Sequence, residues 1–151
     1  MNEAHKERTA SVVSLLIRLV VGVVLFFAGL NKAISLIGGS VGYGTFIENF
    51  VGGVKGTWAY NWPFRAFMYI FFALLPWVEL ALGLALIAGY RTRIALIASA
   101  VLLGHLMFGM ALQGNHATVA NNSQYVIYCA LAYYFTTQGN RYSLDTVLTK
   151  E

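Results

Sequence analysis

Charge is scarce in this chain: Asp, Glu, Lys and Arg make up 11% of its 151 residues, against 58% that are hydrophobic. With a mean hydropathy of +0.65, there is too little polar side chain to clothe a water-soluble domain, and the sequence reads as a polytopic membrane protein of one domain. Cysteine is scarcer still. The single thiol, Cys129, excludes an internal disulfide, a CxxC redox pair and a cysteine zinc cluster, and is read as a small buried hydrophobe. Clustered basic residues are missing as well. The ten Lys and Arg behind the net charge of +4 are spread over loops, which excludes a nucleic-acid partner. His5, His105 and His116 lie on separate segments without ligand spacing, so no metal site is expected. Phosphate loops, dinucleotide fingerprints and nucleophile elbows are lacking too, so no cofactor is intrinsic to the chain and any redox chemistry needs a cofactor-bearing partner.

Long apolar runs, by contrast, are plentiful, and one organises the rest. Leu74 to Gly89, LLPWVELALGLALIAG, carries a lone carboxylate, Glu79. An acid in hydrocarbon costs about 3 kcal/mol even on the lenient insertion scale, so it should face the bundle interior and have a partner. Pro76 and Gly83 stand one turn to either side of it, which makes an inward stripe of proline, glutamate and glycine. The first apolar run, Val12 to Ile37, follows Lys6 and Arg8 and is too long for a cleaved signal peptide, so a retained anchor is expected. Within it Arg18, Gly22, Leu25, Gly29 and Ala33 share a helical face, with Asn31 and Lys32 ending the span at the opposite interface.

Four membrane spans are expected, over about 12–34, 64–88, 94–112 and 122–138. The fold class is therefore all-α: an integral membrane four-helix bundle with a long loop between helices 1 and 2. Glycines at 38, 39, 42, 44, 52, 53 and 56 interrupt that loop, while Tyr43, Phe46, Ile47, Phe50, Val51 and Val54 keep helical spacing, which predicts a short amphipathic helix. Trp58, Tyr60 and Trp62 suit a bilayer interface, as a connector or as a lid over a ligand. Lys6, Arg8, Arg91, Arg93, Arg141 and Lys150 fall on one side of the membrane and Lys32, Lys55 and Arg65 on the other. Both termini are thus expected in the cytoplasm of a bacterial or archaeal cell, with the chain in its inner membrane.

Counting about 1.5 Å per residue from the cytoplasmic ends puts Arg18 roughly 10 Å deep, Glu79 and Tyr128 roughly 15 Å and His105 roughly 18 Å. All four are then within vertical reach of one another. Arg18 is the expected counter-ion of Glu79, since a guanidinium binds a carboxylate bidentately, with His105 and Tyr128 completing a candidate catalytic site. The alternative is a polar clamp that fixes helix register and does no chemistry. At the closing end, Ser143 can cap a short helix from Leu144, with Asp145 in its first turn.

The order IRLVVGVVLFFAGLNKA, LLPWVELALGLALIAGYRTRIA and a final TTQGNRYSLD resembles the DoxX and DoxD family of small four-helix membrane proteins. Arg18, Gly22, Gly29, Lys32, Glu79, Gly83, Asn122, Gly139, Ser143, Leu144 and Asp145 carry the resemblance. It implies the small subunit of a thiosulfate:quinone oxidoreductase, with a quinone as cofactor and other membrane subunits and lipid as partners. Two functions follow: a quinone-facing oxidoreductase subunit acting with a cofactor-bearing partner, or an accessory subunit that stabilises or anchors a larger membrane complex. A small transporter is disfavoured, because the spans show no repeat.

Overall fold

Between Glu3 and Ile37 no proline interrupts the chain, a glutamate stands in the first turn, and one helix, α1 (Glu3–Ile37), runs through both the polar N-terminal stretch and the apolar run. At about 1.5 Å per residue it outreaches a hydrocarbon core of about 30 Å, so its polar start projects beyond the apolar part. The computed structural model describes residues 3–37 and 43–148, and Gly38, Gly39, Gly42 and Lys150 lie outside them. After α1 come α2 (Tyr43–Gly52), a 3-10 turn at Trp58–Tyr60, α3 (Phe64–Ala88), α4 (Thr92–Leu112), α5 (His116–Gln138) and a short α6 (Leu144–Leu148).

The turns are chemically explicit. Gly89 ends α3 in the left-handed region at φ 74°, its N–H bonded to the carbonyl of Ala85, a conformation in which glycine carries no Cβ penalty. Three residues later α4 runs back. At its far end the Asn115 side chain accepts the N–H of Thr118 at 3.1 Å and caps α5.

α1 packs against both α3 and α5, and α5 packs against α4; the α3/α4 seam is much thinner than these three. Val21, Leu25, Leu86, Leu96, Leu103, Cys129 and Ala132 fill the centre. Around the outside the pattern is inverted relative to a soluble protein, with Leu16, Phe27, Ile70, Ile94 and Val101 exposed. α1, α3 and α4 are long and apolar enough to cross a membrane.

Several expectations change here. α3 covers the expected span 64–88, while α1 (Glu3–Ile37), α4 (Thr92–Leu112) and α5 (His116–Gln138) each contain an expected span, 12–34, 94–112 and 122–138, and extend it with polar residues. Hydropathy marks where a chain can enter lipid, whereas polar residues such as Glu3 to Arg8 and His116 to Asn121 remain helical when a cap or a neighbouring turn starts the helix. The four-helix bundle with a long loop becomes six helices among the described residues, of which three are membrane-span candidates. The short amphipathic helix expected within the loop is α2, whose Ile47 and Val51 pack on Phe72, Leu75 and Leu102, with the Phe50 ring stacked 4.7 Å from Phe72.

Candidate functional site: two polar nodes and a lateral cleft

Helices α1 and α3 approach so closely that side chains are excluded at the crossing. A Cβ on Gly83 would lie 2.5 Å from the backbone nitrogen of Phe26, and one on Gly29 would lie 2.7 Å from the carbonyl oxygen of Pro76. This contact fixes the register and lays Lys32, one turn beyond Gly29, beside Glu79. The Lys32 ammonium donates to both carboxylate oxygens, at 2.6 and 2.5 Å. Glu79 is fully buried at 2% side-chain exposure, whereas Lys32 keeps 24%. In surroundings this dry the pair attracts strongly, and it must, because each charge has given up water.

Arg18 is therefore not the counter-ion of Glu79. Gly22 faces Leu86 and Ile87, so Arg18, one turn earlier, meets the end of α3. Fourteen residues, about 21 Å of helix, separate it from Lys32. The expectation failed because depth was counted from where hydropathy begins, while the glycine contacts set the actual register. Lys32 was read as an interfacial flank, yet its place three residues after Gly29, on the face that meets α3, was the available signal.

Buried to 2% exposure, Arg18 belongs to a second node at the end of the bundle that holds the described termini. Its Nη2 donates to the carbonyl of Tyr142 at 2.8 Å, and a Cβ on Gly89 would come within 2.6 Å of its Nη1. Asp145 interacts with Arg18 electrostatically. The Asp145 carboxylate also accepts the backbone N–H of Arg91 at 2.6 Å and of Thr92 at 2.8 Å. It thus caps α4, across 53 positions of sequence, instead of serving the first turn of α6 alone. Ser143 stands directly before α6, where its hydroxyl donates to the Asn140 carbonyl at 3.0 Å and lies 3.2 Å from the Thr146 hydroxyl. The segment after α5, residues 139–148, forms a strap across this end and is pinned further by Arg141, which makes a two-pronged pair with Glu7 at 3.0 and 2.7 Å. The Glu7 carboxylate raises that guanidinium still further above its ordinary value through the hydrogen bond and its charge.

His105 and Tyr128 join neither node. Tyr128 on α5 is 37% exposed and meets the Tyr125 ring edge-on at 5.9 Å. His105 lies on the α3/α4 seam, its ring 6.0 Å from that of Phe71, with Nδ1 2.8 Å from the Val101 carbonyl. There the two helices part around a cleft of about 780 Å³ lined by Phe64, Phe67, Gly104, His105 and Phe108. The four residues expected to share one site thus occupy four places. The cleft itself was missed, since no spacing in a single helix reveals where two helices splay. Among the described residues no three His, Cys, Asp or Glu side chains gather as a metal site.

Comparison with known proteins supplies the family. The model of the methylamine utilisation protein MauE matches residues 10–121, well over half of the chain. This match overturns the resemblance to DoxX and DoxD: glycines at a tight helix crossing and one buried acid suit any small helical membrane protein, and so do not discriminate between families. No curated protein and no solved structure matches.

Proposed function

We propose that this chain, which belongs to the MauE family, is a membrane accessory protein of methylamine utilisation that supports the assembly of a partner membrane protein and leaves the chemistry to that partner. The observation that carries this reading is the Lys32–Glu79 pair. Both oxygens of Glu79, the one buried carboxylate among the described residues, are held by a single ammonium at the close α1/α3 crossing. A carboxylate serving substrate or protons needs a free oxygen on an accessible path, whereas one locked in this way fixes how two helices meet. Arg18 and Asp145 are likewise spent on joining the strap to α1 and α4. Partners are accordingly other membrane proteins and the surrounding lipid.

The topology belongs to the same proposal. Arg8, Arg91, Arg93 and Arg141 lie toward the end that holds the described termini, and Lys55 and Arg65 toward the other, so the former end faces the cytoplasm and α5 serves as the fourth crossing.

The test removes the chain from its host and follows methylamine-dependent growth together with the amount and specific activity of the assembled amine-oxidising system. The accessory reading expects growth to fail because assembled enzyme falls several-fold, with normal turnover in whatever assembles. Full assembly with lost turnover per molecule would overturn it.

A further inference from the structure

The cleft at His105 takes no part in either polar node, and its shape is specific. Its wide lobe, about 780 Å³, opens between the start of α3 and the last turns of α4, walled by Phe64, Phe67 and Phe108. That volume lies within the usual range for small-molecule sites. Phe67 also lines a second, narrower lobe of about 240 Å³, which continues along the same seam past Ile70, Leu74, Val78 and Leu102 and is wholly apolar. From Phe64 to Val78 the two lobes follow α3 for about 21 Å. One lobe has room for a ring; the other has room for a chain.

The polar chemistry of the wide lobe is equally restricted. His105 Nδ1 lies 2.8 Å from the Val101 carbonyl, an oxygen that can only accept, so in the neutral ring Nδ1 carries the hydrogen and Nε2 is left as an acceptor. Among the described residues no Lys or Arg lines either lobe. A phospholipid phosphate seated there would lose its hydration with nothing to answer its charge. A partner helix, about 10 Å across with its side chains, does not fit the narrow lobe. The occupant that matches is neutral, with a planar ring for the aromatic walls, a hydroxyl to donate to Nε2, and an apolar tail.

We infer that the α3/α4 cleft binds an isoprenoid hydroquinone, ring in the wide lobe with a hydroxyl on His105 Nε2 and tail along the seam. This is a binding site away from the Glu79 pair, and no electron transfer is assigned to it.

Gly104 offers a clean test. It lines the cleft, and a Cβ placed on it meets nothing within 4 Å, so Gly104→Leu should fill the wide lobe without disturbing the bundle. Trp58 stands edge-on to Phe64 at 5.0 Å and reports occupancy. The purified full chain in nanodiscs is titrated with decylubiquinol and, separately, with decylubiquinone, following tryptophan fluorescence. Saturable quenching by the quinol is expected. Gly104→Leu should weaken it at least tenfold with an unchanged unfolding midpoint. His105→Leu should weaken the quinol about tenfold, as loss of one buried hydrogen bond does, and the quinone, which has no hydroxyl to donate, by much less. Unsaturable quenching, affinity unchanged in a folded Gly104→Leu, equal losses for quinol and quinone, or equal displacement by phosphatidylglycerol would each overturn the assignment. The measurement needs no partner protein, so it fails or stands independently of the accessory role.

Discussion

Lys32 and Glu79, 47 positions apart, are joined by two hydrogen bonds of 2.6 and 2.5 Å to a single ammonium, and the pair sits where α1 and α3 are too close for a side chain on Gly29. Close approach and charge pairing are one feature. Without glycine at 29, α1 would stand off from α3 and lengthen the ion pair; without the pair, two charges would be stranded in the dry seam that the glycine creates.

Removing one partner should therefore be asymmetric. Lys32→Met leaves Glu79, 2% exposed, without a cation, and should cost about 3 to 5 kcal/mol or force the acid to take up a proton. Glu79→Leu leaves a lysine that is already 24% exposed and can lift its ammonium along its own stem toward a polar boundary, so the loss should be smaller. The double variant Lys32→Met with Glu79→Leu should recover stability relative to Lys32→Met. Unfolding in mild detergent measures all three, and strictly additive losses would show that the two residues are not coupled.

A contrast between glycines checks the α1/α3 crossing. Gly83→Ala places a methyl 2.5 Å from the Phe26 nitrogen, where only a backbone shift can relieve it, and should cost about 1 to 3 kcal/mol. Gly104→Ala meets open space and should be neutral or slightly stabilising, because alanine is the better helix former. Equal thermal shifts in the two variants would refute the close crossing.

What could be read from the sequence was what depends on a single element. The stripe Pro76, Glu79 and Gly83 and the bounds of α3 follow from one apolar run and its few exceptions, and all three stripe residues are buried as expected. The small-residue face of α1, with Gly22 and Gly29, emerged for the same reason. Pairing across elements was not legible. Which cation answers Glu79 depends on a register set by glycine contacts, and the role of Asp145 depends on a strap reaching the N-terminus of α4. Neither has any periodicity to announce it. The polar start of α5 was missed because its signal is a local cap at Asn115 and not an apolar repeat.

Topology is open to direct measurement. Reporter fusions after Arg93 and after Thr146 should both give cytoplasmic activity, and a fusion after Gly53 should give external activity, since the basic residues of the short flanks concentrate at the end that holds the described termini. A cytoplasmic signal at Gly53 would invert the proposal. Opposite signals at Arg93 and Thr146 would remove α5 as a crossing.

The strap yields the remaining prediction. Asp145 supplies both of its oxygens to the backbone N–H groups of Arg91 and Thr92, the first donors of a helix that has no side-chain cap of its own from Arg91. Asp145→Ala should then cost about 1 to 2 kcal/mol, the usual value of a lost N-cap, and should unsettle Arg91, a non-glycine residue held at φ 44°, where the backbone is intrinsically strained. The loss should also be local. Amide exchange at Thr92 to Ala95 should quicken, while the α1/α3 crossing around Gly29 and Glu79, nine or more residues down α3 from the turn, keeps its protection. Asp145→Asn retains one oxygen and should fall between wild type and alanine. Uniformly faster exchange in Asp145→Ala would mean that the strap holds the whole bundle together, and unchanged exchange at Thr92 would mean that α4 is not capped from the C-terminal segment at all.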